Sequence, residues 1–238
     1  MKTVSKANAE EGGHNFNREA SIMEALNHTN IVKCFEFFED EESHHLVMEY
    51  VEGGDLQKIL DSEGVLAEHK IVQILRQLLS AVEYLHENGI VHKDIKPNKI
   101  LFDLNGNVKL SGFGISEFLG PQETGNNFIF TMHYSPPEIL KTGKYDTKYD
   151  IWSVGVVLFQ MCVGSFPFNT ISEIQSGKYK PIPMTVNKIL RELICRMFTI
   201  DPAERPTAKE LLEILNKNFR KRTGNYECRF NGDDLEIK

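Results

Sequence analysis

Residues 151–163 read Ile-Trp-Ser-Val-Gly-Val-Val-Leu-Phe-Gln-Met-Cys-Val and are apolar on nearly every face of a helix. A helix with no polar face must be covered on all sides. The stretch 152–164 is too short to cross a bilayer, so the cover has to be other protein. The chain must therefore fold as a lobe with this helix at its centre. Its 238 residues, 41% of them hydrophobic and spread over many segments, are enough to build that surround. Lys+Arg number 27 against Asp+Glu 34, for a net charge of -7 and no long basic stripe. That balance argues against nucleic acid or an anionic membrane as the main partner, and leaves a phosphate pocket open.

The rest of the chain supplies the covering elements. Ile71, Ile74, Leu75, Leu78, Leu79, Val82 and Leu85 mark one face of a long helix that should end at Asn88-Gly89. Val186, Ile189, Leu190, Leu193, Ile194 and Met197 mark a second. Thr207 and Glu210 stand at capping-box spacing ahead of Leu211, Leu212 and Leu215, which mark a third. Asn105-Gly106 between two short apolar runs suits a tight hairpin. The first fifty residues differ in character: a short helix pattern, then strand-like runs at 31–38 and 46–51 around a polar turn at 39–44. A small β-containing lobe (1–50), a larger helical lobe (51–218) and a polar tail (219–238) follow, with the joint between the lobes a favoured place for a ligand.

Cys34, Cys162, Cys195 and Cys228 lie far apart, outside CxxC or zinc-ligand spacing, which favours free thiols in a reducing compartment. The start Met1-Lys2-Thr3-Val4-Ser5-Lys6 carries no apolar leader, so the expected location is cytoplasmic or nuclear. His14, His28, His44, His45, His69, His86 and His133 form no metal-ligand cluster and are expected on the surface or in turns.

His92-Lys93-Asp94-Ile95-Lys96-Pro97-Asn98-Lys99 resembles the catalytic loop H-R-D-x-K-x-x-N of eukaryotic protein kinases. It stands in an ordered series. Glu19 precedes His28-Thr29-Asn30-Ile31-Val32 like the helix-C glutamate of that family, and Met48-Glu49-Tyr50-Val51-Glu52-Gly53-Gly54-Asp55 resembles its hinge. Ser111-Gly112-Phe113-Gly114 takes the place of D-F-G, and Pro136-Pro137-Glu138 that of A-P-E. Asp150-Ile151-Trp152-Ser153-Val154-Gly155 resembles the start of the central helix, and Asp201-Pro202-Ala203-Glu204-Arg205-Pro206 the final arginine motif. The resemblance implies an α+β, two-lobed protein-kinase-like fold with an incomplete N-terminal β lobe and a mainly helical C-terminal lobe. Lys96 places it with the serine/threonine type.

The resemblance also implies roles. Asp94 would be the base and Lys96 would steady the transferred phosphoryl group. Lys2 would be the phosphate lysine, held by Glu19. A nucleotide would meet Met48, Glu49 and Val51 at the hinge, Asp55 at the ribose and Leu101 below the base. His92 and Phe113 would join Met23 and Cys34 in the hydrophobic spine, Glu138 would pair with Arg205, and Asp150 would brace the catalytic loop. Lys93, in place of arginine, could answer a phosphate at Thr124 or Ser116 only as a point charge.

Three departures from the pattern are expected to matter. The glycine-rich lid would lie before Met1. Gly112 replaces the metal-binding aspartate, and Lys99 replaces the metal-binding asparagine. Mg²⁺ binding is therefore expected to be lost, and the chain reads as a pseudokinase that binds or scaffolds proteins, an active kinase or its substrate among them. Its helical lobe or its groove at 131–138 would serve. The alternative is an active or weakly active serine/threonine kinase. ATP stays a candidate ligand, since the Lys99 ammonium could stand in for part of the missing metal charge.

Overall fold

The computed structural model describes residues 1–6, 16–119, 125 and 131–219. Thr124, His14, Cys228 and the tail beyond residue 219 lie outside the described residues.

Strand β1 (Lys2–Ser5) leads to helix α1 (Phe16–Ala25), which buries Phe16, Glu19, Ala20, Ile22 and Met23. Strands β2 (Cys34–Glu39) and β3 (Ser43–Met48) complete an antiparallel sheet in the order β1-β3-β2. The pairs Lys2 with Leu46 and Phe37 with Leu46 set its register. Asp40 makes the β2–β3 turn: its carboxylate accepts the Glu42 and Ser43 amides at 2.9 and 2.8 Å. The strands end earlier than the expected 46–51 run, so Val51 lies in the hinge rather than in the sheet. His44 and His45 are buried on β3 instead of lying in a turn. A lone histidine carries no periodicity of its own, and both are held by packing against Phe16, Phe37 and Phe38.

The helical lobe begins with α2 (Leu56–Glu63), capped by Asp55, and α3 (Glu68–Glu87). Every apolar position expected on the long helix is buried in α3, and it stops at Asn88 with Gly89 at φ 67°. Strand β4 (Ile90–Val91) pairs with β7 (Glu117–Phe118), and between them β5 (Ile100–Phe102) pairs with β6 (Val108–Leu110). The β5–β6 connection is longer than a two-residue hairpin. Asp103 Oδ1 accepts the amides of Asn105 and Asn107 at 2.9 and 2.8 Å, and only Gly106 of the loop has positive φ.

Short α4 (Pro137–Thr142) precedes α5 (Lys148–Val163). Tyr149 to Cys162 of α5 are all buried, as an all-round apolar helix demands, and Gly164 ends it in the left-handed conformation. Short α6 (Ile171–Ser176) opens on a capping box of Thr170 and Glu173. Helix α7 (Lys188–Met197) and helix α8 (Ala208–Asn218) close the lobe, α8 on the expected Thr207–Glu210 box. Leu211 and Leu215 are buried while Leu212 is half-buried. Phe219 extends the packed lobe past α8, its carbonyl accepting Arg76 Nη2 at 2.8 Å.

One continuous core runs from Phe16 and Leu46 in the small lobe to Leu215. No helix among the described residues is long and apolar enough to cross a membrane.

Candidate active site

The loop after β4 is fixed from below by α5. Asp150 is fully buried and its carboxylate accepts the amides of His92 and Lys93, each at 2.9 Å, and meets His86 Nε2 at 2.9 Å. Burial alone would raise the Asp150 pKa, but the His86 bond and the loop amides outweigh it and hold the group ionised. Lys93 is the only non-glycine with positive φ among the described residues, at 66°. That strain, about 1–2 kcal/mol, is held in place by the two amide bonds. His86 is thus a support of the loop and not the surface residue expected. A single histidine on α3 gives no hint of a carboxylate so far along the chain.

His92 is buried. Its Nε2 donates to the Ser111 carbonyl at 3.0 Å, its Nδ1 accepts the Asp94 amide at 3.2 Å, and burial keeps it neutral by lowering its pKa. Its ring meets Phe113 edge-on with centroids 4.7 Å apart, and Met23 is buried in the same core, with Cys34 packed against it.

The structure brings Asp94 and Lys96 together: Lys96 Nζ is 2.7 Å from Asp94 Oδ1. Thr131 joins them, donating to Asp94 Oδ1 at 3.0 Å and accepting from Lys96 at 3.1 Å. Such a group can take a proton from a hydroxyl and place a cation beside an anion. On the opposite side, Lys2 Nζ of β1 is 2.6 Å from Glu19 Oε2 of α1, with the lysine partly open and Glu19 5% exposed.

Lys93 itself is buried, and it donates to Glu117 Oε2 and to Tyr145 Oη, each at 3.0 Å. The Tyr145 hydroxyl donates to the same Glu117 carboxylate, and Arg18 Nη1 of α1 lies 3.8 Å from its other oxygen. Burial opposes ionisation of Glu117, but Tyr145 and Lys93 outweigh it and its pKa falls. Burial raises the Tyr145 pKa strongly and Glu117 adds to it, so the phenol keeps its proton. Ser116 is fully buried, its Oγ donating to the His92 carbonyl at 3.0 Å, so it is closed to a modifying enzyme in this conformation. Glu117, Tyr145 and Arg18 carry no motif signal, and sequence reading misses them.

Two positions where the resemblance implies metal ligands lie side by side. The Lys99 carbonyl accepts the Ser111 amide at 2.9 Å and the Ser111 hydroxyl at 3.1 Å. Gly112 has φ 90°, and a Cβ built there would fall 2.6, 3.0 and 3.2 Å from Cδ, Cε and Cγ of Lys99. The lysine chain thus fills the space a side chain at 112 would use. Asn98 is exposed, and the described residues hold no group of three histidine, cysteine or carboxylate side chains that could ligate a metal. A cation over a bare glycine does not fit Mg²⁺, which needs oxygen ligands.

The hinge is held at its start by Lys33, just before β2, and at its end by β5. Glu49 N donates to Lys33 O at 2.8 Å, Gly53 N to Phe102 O at 2.8 Å, and Asp55 bridges Leu101. A Cβ at Gly53 would fall 2.6 Å from the Phe102 carbonyl, so this close approach requires glycine. Met48, Val51 and Leu101 are half-buried against the core. The Asp55 carboxylate caps α2 by accepting the Lys58 amide at 3.0 Å, which commits one of the two oxygens expected at the ribose.

Glu138 and Arg205 form the bidentate pair that the motifs imply, at 2.8 and 3.1 Å, with Arg205 also bonded to the Thr199 and Lys148 carbonyls. Residues 1–215 match the protein kinase domain family. The chain belongs to the protein kinase family. It is 39% identical over 214 residues to the serine/threonine-protein kinase cds1 of Schizosaccharomyces pombe, covering 83% of this chain and 46% of that protein. It is 37% identical to sperm motility kinase Z of Mus musculus, over 82% of this chain and 40% of the other. An Aurora kinase of Yarrowia lipolytica is 34% identical over 89% of this chain and 59% of its own. The chain thus spans less than two thirds of the length of each of these kinases.

Proposed function

We propose that this kinase-family chain has lost metal-dependent phosphoryl transfer, or keeps only a trace of it, and acts by binding protein. The observation that carries the reading is the Lys99 chain lying over Gly112, a cation and a glycine where two oxygen ligands are needed. Losing a metal's charge stabilisation is worth several kcal/mol, or a rate loss on the order of 10²- to 10⁴-fold. The helical lobe and the groove at 131–138, pinned by Glu138–Arg205, offer a rigid surface for an active kinase or its substrate.

A second reading, a weakly active serine/threonine kinase that moves the ATP γ-phosphate to protein hydroxyls, is favoured by the assembled Asp94–Lys96–Thr131 group and the Lys2–Glu19 pair. In that reading Asp94 takes the hydroxyl proton, Lys96 steadies the phosphoryl group and Lys2 holds the phosphates. A radiolabelled transfer assay with Mg²⁺, run on the chain and on Asp94→Asn, separates the two. No transfer above the Asp94→Asn background is expected; Mg²⁺-dependent transfer that the substitution abolishes overturns the first reading.

A further inference from the structure

We propose that Thr3 is a nucleophile whose hydroxyl takes an acyl group from an activated ester or thioester, with His45 as its base and Asp40 orienting that base. Thr3 on β1 and His45 on β3 are cross-strand partners, and Phe38 on β2 is the partner of His45 on its other side. Lys2 turns toward Glu19 of α1, so its neighbour Thr3 projects from the opposite face of the strand. The row lies apart from the candidate active site.

Thr3 Oγ1 is 3.1 Å from His45 Nδ1, and His45 Nε2 is 2.8 Å from Asp40 Oδ2. The Asp40 carboxylate, held ionised by His45 and by the Glu42 and Ser43 amides, can only accept, so Nε2 carries the ring proton. Nδ1 of the neutral ring is left with its lone pair toward the Thr3 hydroxyl, which donates to it. The order is nucleophile, base, orienting acid. Thr3 is exposed while the His45 side chain is 11% exposed, so the nucleophile is open and its base is shielded from water. In the step, Oγ1 attacks the acyl carbonyl, its proton passes to Nδ1, and the alcohol or thiol leaves with that proton. An O-acyl threonine forms and the ring returns to neutral.

The surroundings favour an uncharged acyl donor. The turn Glu39-Asp40-Glu41-Glu42 holds four carboxylates, and Lys6 lies 3.5 Å from Glu39, so a phosphorylated or carboxylated donor is repelled. Phe38, 40% exposed and stacked on His45 with centroids 4.7 Å apart, offers an apolar plane for an aryl or short acyl group. What is assembled is a nucleophile and its base, so one ester per chain is expected rather than repeated turnover.

The test is incubation of the whole chain with 4-nitrophenyl acetate, followed by intact mass, peptide mapping and alkaline hydroxylamine. Hydroxylamine cleaves an ester on threonine and spares amides on lysine or the amino terminus. One hydroxylamine-labile acetyl group at Thr3 is expected, kept in Thr3→Ser and lost in Thr3→Val. His45→Gln should slow its formation by about 10²-fold or more, the range of general-base catalysis. Acetyl groups found only as hydroxylamine-stable amides overturn the inference, as does an unchanged rate at Thr3 in a folded His45→Gln. If His45→Gln lowers the melting temperature, Asp40→Asn decides, because its side-chain carbonyl still accepts the turn amides. A rate at Thr3 reduced at least about 10-fold in Asp40→Asn supports the relay, and a smaller reduction overturns it.

Discussion

Lys99 lies across Gly112, so that a β-carbon at position 112 would meet Cδ of the lysine at 2.6 Å. The two departures from the kinase pattern are one structural event, because each occupies or vacates the space the other needs. Gly112→Asp alone must push the lysine aside at a backbone φ of 90° and is expected to cost about 1–2 kcal/mol. With Lys99→Asn the obstruction goes, and the double variant should be more stable than the sum of the single changes by about 0.5–3 kcal/mol. Urea denaturation of the four proteins measures the coupling. Mg²⁺-dependent thermal stabilisation in the double variant alone would show that two side chains were all the metal site lacked.

Arg205 is fully buried beneath the groove, with its guanidinium 5.2 Å from the Trp152 ring. Glu138→Ala leaves that cation without its carboxylate and should cost about 3–5 kcal/mol, toward the lower end because the Thr199 and Lys148 carbonyls remain. A loss under about 1 kcal/mol in chemical denaturation would show that the carbonyls suffice.

Glu117 ties Lys93, Tyr145 and Arg18 together, so Glu117→Gln should cost about 1–3 kcal/mol by leaving Lys93 short of its charge partner. The pH dependence has a definite sign. The folded-state pKa of Glu117 is depressed below its unfolded value, so its contribution is whole above the unfolded value and is lost as pH falls through the folded one. Stability of the parent protein should therefore drop faster on acidification than that of Glu117→Gln, measured by urea midpoints at a series of pH values below neutral.

Asp40 offers a local check on the small lobe. Its hydrogen bond to His45, with the Glu42 and Ser43 amides, lowers its pKa to about 2. An NMR titration of its carboxyl carbon should give that midpoint. A value near 4 would mean that the β2–β3 turn does not hold in solution.

The long helices were legible because their signals are local. The period of α3, the all-round apolar content of α5, the Gly89 and Gly164 stops and the Thr207–Glu210 box each lie within one segment. Glu138 with Arg205 and Lys2 with Glu19 could be paired because the family resemblance places them together. What stayed hidden were contacts between distant single residues with no pattern around them: His86 with Asp150, Thr131 with Asp94, Glu117 with Lys93. The burial of His44 and His45 escapes the sequence for the same reason, since a strand face is decided by its neighbours Phe16, Phe37 and Phe38. That Gly112 and Lys99 fail as metal ligands can be read from residue type alone. That one fills the space of the other needs coordinates.

Glu117 holds α1, the catalytic loop and β7 in register with a charge that belongs to the chain itself. A charge supplied by the ribosome is present in every copy, and no kinase or phosphatase can add or remove it. The segment 113–119 is thus tied to α1 and the loop after β4 without an added phosphate.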